Sequence, residues 1–583
     1  MAERAPWRDR LALAAALVAL VLVRGFLVLA CADVFFYGEE LGKGGVAKAI
    51  LAPPDIPYHR LVYAYHEGGG FVVAHLRAAA FLVLGESLLA TKLVAIGTSA
   101  MVLAAGFTLT LEGFGRRAAL LFGALFVLCP DAWLRFSLVS IGTHFEALFF
   151  QAAILFLALR IARDGSGGAR DWLLLGLAAG CGVYFSLVTL AAIAAAGALL
   201  VLALRRRLLG RGLAIATVAA LVGAAPLWWM LSRVGLDAVR VRANPAVPHE
   251  PRGFLTSVAD LFVPLVREGR LDDWIQLGLL GPLAAAAIWL VRERRARLAA
   301  AGVLLYLGTY FVLYFGSGLA VSMNGIWLIW WRMCPAWLFG CVLAAAALDA
   351  LLARRRLLGA SLVGLFVAAG LADLARLTAT GRPDRLFANA QHLARSKGYD
   401  LSEYFDQLVH HLDPGEAGRI RTLLEIDEPT HLLPSAAAHN VFEETDLPLA
   451  RVIAISREAF GPRFEAALLG LGHHLHPRPG YDLRAAFERL GELPEDLRGP
   501  LARALGRTGL GQRFRRDRLV EQLEIPVPAE HREAFLVGAG WRVWRAYLLD
   551  PEGGEAFIAS RPPAERAALG RGLALERAAW TLP

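Results

Sequence analysis

Long apolar stretches alternate with tight arginine clusters through residues 1–375 of this 583-residue chain. Apolar runs of about 20 residues are long enough to cross a bilayer as helices. The clusters lie at 4–10, 116–117, 160–170, 205–207, 292–297 and 354–356. Loops rich in arginine remain on the cytoplasmic side of a membrane. The pattern predicts that these loops and the N-terminus are cytoplasmic, and that the intervening loops and everything after residue 375 face outward.

The composition also favours a membrane protein. Hydrophobic residues make up 57% of the chain, more than a soluble domain usually carries. The net charge of +9 could indicate nucleic-acid binding, but the arginines flank apolar runs instead of sharing one face of a soluble domain. We therefore expect no nucleic-acid partner. The five cysteines lie in or beside apolar runs, so the sequence predicts no disulfide framework or cysteine zinc site in residues 376–583.

The apolar runs predict an all-α polytopic membrane protein with about eleven spans. They are 11–30, 88–111, 118–130, 145–161, the two arms of a hairpin within 172–204 that turns near 184–186, 213–231, 274–291, 299–315, 326–348 and 357–372. The predicted outer loops are 31–87, 131–144, 232–273 and 316–325. An odd number of spans places residues 376–583, a charged and soluble helical domain, outside.

Two apolar segments near the N-terminus allow alternative interpretations. The run 11–30 ends in Val28-Leu29-Ala30-Cys31, which loosely resembles a lipoprotein cleavage site, but its length favours a span. The segment 71–84 is interrupted by His75 and Arg77, and we interpret it as an interfacial or re-entrant helix. If it crossed the membrane, all later arginine clusters would lie outside, against the charge pattern.

Residues 376–583 contain a weak internal repeat of about 34 residues. The repeated element is a short run of small and apolar residues, at 468–472, 502–506, 536–540 and 568–572. Small residues let helices approach closely, and this period is typical of stacked helical hairpins. The repeat predicts an α-solenoid, with a plain helical bundle as the alternative.

The first predicted outer loop holds the densest set of candidate functional residues. It contains the pair Glu39-Glu40, and later Tyr65-His66-Glu67 before a run of glycines. Carboxylates at a membrane surface can act as a general base or hold a divalent cation. An ordinary solvated loop is the alternative interpretation.

Two other groups of ionisable residues are candidates for chemistry. His144 and Glu146 follow the second outer loop and are predicted to enter the span 145–161. Ionisable residues within a span are costly and usually face a functional cavity. His473, His474 and His476 could offer imidazoles to a metal, but without a clear carboxylate partner a solvated helix face is the simpler interpretation.

The order of motifs in the N-terminal part resembles one known family. An acidic pair follows the first span in Tyr37-Gly38-Glu39-Glu40, and an apolar segment ends in Leu84-Gly85-Glu86-Ser87. Next come the helix start Ala90-Thr91-Lys92-Leu93, the turn Phe114-Gly115-Arg116-Arg117-Ala118-Ala119, a span ending in proline, and the acid Glu146. In this order residues 11–372 resemble the GT-C membrane glycosyltransferases, which include protein mannosyltransferases, aminoarabinose transferases and RgtA/B/C/D-like proteins.

The resemblance implies a catalytic base or metal ligand in the first outer loop and a second acid from the next. Glu39 and Glu40 correspond to the first position and Glu146 to the second, so Glu40 and Glu146 are candidate ligands of a divalent cation. This chain has Glu-Glu where the family more often has Asp-Glu, and His144 where another acid can stand. Glu67 is a competing base, because His66-Glu67 lies where many relatives have His-Pro-Pro.

A late arginine fits the same resemblance. Trp330-Trp331-Arg332-Met333-Cys334-Pro335 places Arg332 near the predicted outer end of a span, where it could bind a lipid phosphate through two hydrogen bonds. The family has a similar arginine before proline, in contact with the polyprenyl phosphate. His66 and His144 are the other candidate substrate-binding residues. The alternative for Arg332 is a headgroup anchor without a role in binding.

These inferences predict a transferase of the bacterial inner membrane. It would move a sugar from a polyprenyl-phosphate donor to an envelope glycan, lipid or protein on the periplasmic side. Two other classes remain open: a non-enzymatic scaffold whose 376–583 domain binds a protein partner, and a transporter. A transporter would need charged or broken helices at mid-membrane, whereas most charges here lie at the ends of spans.

Overall fold

A computed structural model describes residues 6–31, 38–51, 68–85, 88–234, 271–316, 333–380, 434–435, 438, 447–476, 482–508, 516–547 and 551–581. Within these residues the regular structure is helical and no strand is present, so the predicted all-α class is confirmed. The chain divides into two compact units. The first, here the membrane unit, is Met1–Phe35 with Val62–Arg382; the second, the C-terminal unit, is Phe36–Leu61 with Pro383–Pro583.

The membrane unit consists of helices that pack around one buried helix, which comes late in the sequence of this unit. Its helices are α1 (Pro6–Cys31), α3 (Gly68–Leu84), α4 (Leu88–Phe114), α5 (Arg116–Val127), α6 (Asp131–Phe136), α7 (Leu148–Asp164), α8 (Ala169–Phe185), α9 (Leu190–Leu204), α10 (Arg211–Gly223), α11 (Ala225–Val234), α12 (Leu271–Leu290), α13 (Arg294–Gly316), α14 (Cys334–Arg354) and α15 (Arg356–Thr380). Helix α14 is the central one, since every residue from Trp337 to Leu348 is buried.

Six helices in the described part of the chain are long and apolar enough to cross a membrane. They are Trp7–Ala30, Leu89–Phe114, Leu187–Leu204, Arg294–Leu313, Cys334–Arg354 and Arg356–Ala379. A seventh arises if α10 and α11, which are bent by 51° at their junction, form one broken span. The protein is therefore a multi-pass membrane protein, as predicted. The number of eleven spans remains a prediction, because α5 has only 12 residues and α7 only 17.

Three turns between helices follow the sequence prediction. The hairpin within 172–204 does turn at Ser186, where a short 3₁₀ segment, Leu187–Thr189, separates α8 from α9. Gly115 adopts φ +95° between α4 and α5, and Gly165 adopts φ +75° at the end of α7. Because a side chain disfavours this left-handed region, glycine suits both turns.

Helices α8 and α10 touch backbone to backbone along a seam of small residues. A Cβ added to Gly176 would overlap the carbonyl oxygen of Ala216, and one added to Gly180 would overlap that of Ala220. On the other side of the seam, a Cβ added to Gly223 would lie 2.9 Å from backbone atoms of α8. In a membrane, where lipid tails are as apolar as leucine, such close packing is a main source of helix association.

The Gly180→Ala substitution should destabilise the membrane unit. The new methyl group has a backbone atom as its neighbour, so the two helices must separate, at a cost of about 1–3 kcal/mol. We expect the melting temperature of the detergent-purified protein to fall. The matched control is Gly197→Ala on α9, where a Cβ has nothing within 4 Å. Equal melting temperatures for the two variants would show that the close contact between α8 and α10 does not stabilise the protein.

The C-terminal unit contains helices that recur at a fixed spacing. Its described helices are α2 (Gly38–Leu51), α16 (Leu449–Phe460), α17 (Phe464–Leu468), α18 (Leu483–Gly491), α19 (Glu495–Thr508), α20 (Arg516–Glu524), α21 (Ala529–Ala546), α22 (Pro551–Ala559) and α23 (Pro563–Thr581). The longer helices α19, α21 and α23 begin 34 residues apart, at 495, 529 and 563. A shorter helix precedes each of them, so the sequence period corresponds to one helical pair.

Glycines of the repeat lie where the longer helices meet. A Cβ on Gly506 of α19 would overlap the carbonyl oxygen of Phe535 of α21. The same relation joins Gly538 of α21 to Arg503 of α19, and Gly572 of α23 to Val537 of α21. The repeated small residues therefore permit the close helix crossings that the sequence predicted for them.

His476 is buried, contrary to the interpretation of the histidine cluster as a solvated helix face. Its side chain is 3% exposed, after the 3₁₀ segment Gly472–Leu475. Burial lowers the pKa of His476 to about 4, and the nearby Arg489 lowers it too, whereas Asp482 opposes this shift. The short-range pattern misses this, because burial depends on helices that pack over the segment.

The C-terminal unit should lose stability as the pH falls from about 6.5 to about 4. In that range the unfolded chain binds a proton at His476 while the folded chain does not, so the unfolding free energy decreases with decreasing pH. The loss is about 3 kcal/mol. Hydrogen exchange of amides in α18 and α19, measured against pH in the full chain, should show it. In His476→Leu the pH dependence should be smaller, and an unchanged dependence would exclude His476 as its source.

Candidate functional site

The structure describes some of the predicted site residues and not others. His66, Glu67 and Arg332 lie outside the described residues, as does the side chain of Glu39. Glu40 lies on α2, where its side chain is fully buried, and Lys43 one turn later is 2% exposed. Although the sequence placed this acidic pair in a loop of the membrane domain, α2 groups with the C-terminal unit.

Glu146 closes a tight turn before α7. His144 and Glu146 lie in the turn before α7, which begins at Leu148, and not within the helix that the sequence predicted for 145–161. The Oε1 atom of Glu146 accepts hydrogen bonds from the backbone N–H of Ile141 at 2.7 Å and of Gly142 at 3.0 Å. The Glu146 side chain is 4% exposed, whereas His144 is half-buried. The carboxylate therefore has local backbone partners that hydropathy cannot reveal.

The environment of Glu146 acts on its pKa in two directions. Burial raises the pKa of this carboxyl above its usual value. The backbone N–H groups of Gly142 and Ile141 and the positive charge of Arg77 act against that increase, because they stabilise the ionised form. Burial is the larger effect, so the carboxyl is a weaker acid than an exposed glutamate.

Arg77 holds α3 to the same loop. Its guanidinium is fully buried and donates to both the backbone oxygen of Ser140 and the Ser140 hydroxyl, the latter at 2.8 Å. In the sequence Arg77 interrupts an apolar segment. In the structure it lies on the buried face of α3, while Leu82 and Val83 on the same helix are 74% and 81% exposed.

A second buried cation, Arg24, comes from the first span. Its guanidinium donates to Ser137 Oγ at 2.6 Å, the Val127 oxygen at 2.8 Å and the Phe126 oxygen at 3.3 Å. It also lies 3.3 Å from Cys129 Sγ. The end of α5 and the loop after it are thus bonded to the C-terminal half of α1 through one side chain.

A third buried cation, Lys92, comes from the start of α4. Its Nζ donates to the backbone oxygen of Leu138 at 2.9 Å, and the side chain is fully buried. On the same helix Ser99 Oγ donates to the backbone oxygen of Ser137 at 2.5 Å. Helices α1, α3 and α4 therefore all donate to the segment 126–140, which we call the anchored loop.

A further carboxylate is buried near the anchored loop. Asp373 of α15 is fully buried, accepts a hydrogen bond from Gln276 at 2.7 Å, and forms an ion pair with Arg376. Arg24, Arg77, Lys92 and Asp373 are not among the predicted site residues. Their signal was available, because each is an ionisable residue in or beside an apolar run.

Two rings of the anchored loop pack on Trp337 of α14. Trp133 stacks on Trp337 with ring centroids 5.4 Å apart, and Phe126 lies 5.2 Å from the same indole. In the part of the chain that the structure describes, no three His, Cys, Asp or Glu side chains converge to hold a metal ion.

Comparison with known proteins finds likeness at the level of the fold. No family profile and no curated protein matches this sequence. The chain is similar to the solved structure of ArnT from Cupriavidus metallidurans in the apo state, with 18% identity over 81% of this chain and 80% of that one, and a TM-score of 0.44. The same enzyme bound to undecaprenyl phosphate gives 18% identity over 81% of each chain and a TM-score of 0.42.

An archaeal protein is also similar. The oligosaccharyltransferase of Archaeoglobus fulgidus, solved with zinc and sulfate, has 14% identity over 68% of this chain and 57% of its own, with a TM-score of 0.39. These proteins are GT-C glycosyltransferases, the class that the order of motifs resembles. With identities below 25% and TM-scores below 0.5, activity has to be inferred from the residues of this chain.

The Arg24→Met substitution should release the anchored loop. It leaves the oxygens of Val127, Phe126 and Ser137 without their buried donor, at a cost of about 3 kcal/mol. We expect a lower melting temperature and faster maleimide labelling of Cys129, which is fully buried in the native protein. Peptide mass spectrometry identifies the labelled cysteine. The control is Arg10→Met, an exposed arginine on the same helix; equal labelling in both variants would contradict the anchoring.

Proposed function

We propose that this protein transfers a sugar from a polyprenyl-phosphate donor to a periplasmic acceptor, which is an envelope glycan, lipid or protein. A glutamate of the first outer loop takes the proton of the acceptor hydroxyl, and the hydroxyl oxygen attacks the anomeric carbon with inversion. The bond between that carbon and the phosphate oxygen breaks, and the phosphate leaves with the electron pair. Positioning and charge stabilisation supply most of the acceleration.

The observation that carries this proposal is the concentration of buried charge around the anchored loop. Arg24, Arg77 and Lys92 bring three cations into it, while Glu146 is a nearby acid and Asp373, another buried acid, is paired with Arg376. Ionisable residues buried in a membrane protein usually mark a path or site for a polar ligand. A surplus of positive charge suits a phosphate-bearing lipid, and Arg332 adds another candidate cation at the predicted outer side.

One of the solved structures that this chain resembles contains a lipid of the proposed donor class. One ArnT structure contains undecaprenyl phosphate, and the other relative is an oligosaccharyltransferase. Those properties are known for those proteins. For this chain they agree with the expectation of a polyprenyl-linked donor, which rests on the order of its own motifs and on its buried cations.

The choice of base requires single variants. A general base must come within hydrogen-bond reach of the acceptor hydroxyl. Glu40 is fully buried, which speaks against direct access of an acceptor hydroxyl, and Glu39 and Glu67 are the alternatives within the predicted first outer loop. Replacing the true base by glutamine should lower kcat by about 100-fold or more.

Envelope glycan composition, measured by mass spectrometry in a deletion strain, tests this. Complementation with wild type should restore one missing sugar, and the Gln variant of the base should not. Glu39→Gln, Glu40→Gln and Glu67→Gln are compared with Glu293→Gln, an exposed acid in a predicted cytoplasmic loop. If all three outer-loop variants restore the sugar, or if the deletion removes none, the transferase proposal is wrong.

A scaffold is the second candidate, and the repeated helical pairs of the C-terminal unit favour it. Stacked helical pairs often present a surface for a protein partner. A scaffold would tolerate glutamine at Glu39, Glu40 and Glu67. It would lose function when the repeat is disrupted, for example by Gly538→Val, because a side chain there overlaps the Arg503 backbone.

A further inference from the structure

We propose that Glu146 is a positioning residue of the membrane unit and neither the base nor a cation ligand. It shapes the loop against which the first turn of α3 rests. Helix α3 begins at Gly68, directly after His66-Glu67. The inference rests on the proposed sugar transfer, which it deepens by assigning this second acid a role other than the one its motif position implies.

The Glu146 carboxylate stabilises the turn that precedes α7. One oxygen of Glu146 accepts from two successive backbone N–H groups, those of Ile141 and Gly142. The bonds close a turn in which Gly142 adopts φ +82°. A carboxylate that is buried and bonded in this way is not presented to an acceptor hydroxyl, and a cation beside it would lie close to the positive charge of Arg77.

This turn is in contact with α3. A Cβ on Gly69 would overlap the carbonyl oxygen of Gly142, and a Cβ on Gly142 would overlap that of Gly69 and lie 2.5 Å from the nitrogen of Gly70. The two backbones therefore touch with no side chain between them. The rings of Tyr184 and Phe185 flank Gly68 and Gly69 from α8, so the first turn of α3 has little room to move.

A second attachment lies farther along α3. Arg77, about two turns after Gly69, donates to Ser140, the last residue of the anchored loop, directly before the turn that Glu146 closes. Arg77 also places its positive charge near Glu146. With two points of attachment, the loop determines both the position and the rotation of α3. In the sequence, α3 begins directly after Glu67, the competing candidate base, so the placement of α3 bears on that choice.

Glutamine and alanine at position 146 separate the possible roles. The amide oxygen of glutamine can accept both backbone N–H bonds, but a glutamine cannot take a proton and is a poor ligand for a divalent cation. Alanine can do none of these. A positioning role predicts that Gln replaces Glu and Ala does not, whereas a role as base or cation ligand predicts equal losses for both.

The test uses the full chain in detergent with a polyprenyl-phosphate sugar donor. Glu146→Gln should keep kcat within about threefold of wild type, whereas Glu146→Ala should lose about 30-fold or more, with the donor KM changed less than about twofold. Gly142→Ala should behave like Glu146→Ala. The matched control is Gly97→Ala on α4, where a Cβ meets nothing within 4 Å. Melting temperatures identify any variant that fails to fold.

Hydrogen exchange gives a readout that does not depend on sugar transfer. Amides of residues 68–73 should exchange faster in Glu146→Ala than in wild type, and at the wild-type rate in Glu146→Gln. Equal inactivity of Gln and Ala at unchanged exchange would overturn the positioning role, as would full activity of the Ala variant. If the wild type itself transfers no sugar, the proposed function fails. The exchange comparison then tests the contact alone: faster exchange of residues 68–73 in Glu146→Ala supports it, and unchanged exchange rejects it.

Discussion

The burial of positive charge in the membrane unit governs the arrangement of the helices around it. Arg24, Arg77 and Lys92 are fully buried, and an isolated charge away from water costs many kcal/mol. Each is stabilised by backbone or hydroxyl oxygens of the anchored loop. The loop must therefore bring its carbonyl groups to helices α1, α3 and α4 together, and these helices cannot move independently of it.

Direct contact between the backbones of two helices, at glycines, is the second organising feature, and it recurs in both units. Gly180 meets the backbone of Ala220 in the membrane unit, and Gly506 meets that of Phe535 in the C-terminal unit. At such crossings dispersion between closely packed backbones contributes to association, and it does so in lipid as well as in water. The Gly69 and Gly142 contact applies the same principle to a helix and a loop, so that the loop orients α3.

Much of the architecture could be predicted because its signals are local. The length of apolar runs predicted a chain that crosses the membrane several times, the 34-residue period predicted the spacing of helices at 495, 529 and 563, and Gly115 predicted a turn. The candidate site was harder to predict. Glu146 was expected within a span, yet it bonds to the turn before α7, and α2 groups with the C-terminal unit although it follows the first span directly. Neither fact is contained in periodicity. The first depends on side-chain bonding within an irregular turn, and the second depends on contacts between distant segments.

The sequence by itself determined that the chain is helical and crosses a membrane several times, because the length of an apolar run and the position of a glycine turn are local properties of the chain. It also determined which residue types could carry chemistry. Only the tertiary structure decided which of them are buried and what they bond to. Arg24 and Ser137 are 113 positions apart, and no local pattern relates them. A charged side chain in an apolar run needs a partner, and the fold supplies that partner from whichever segment packs against it.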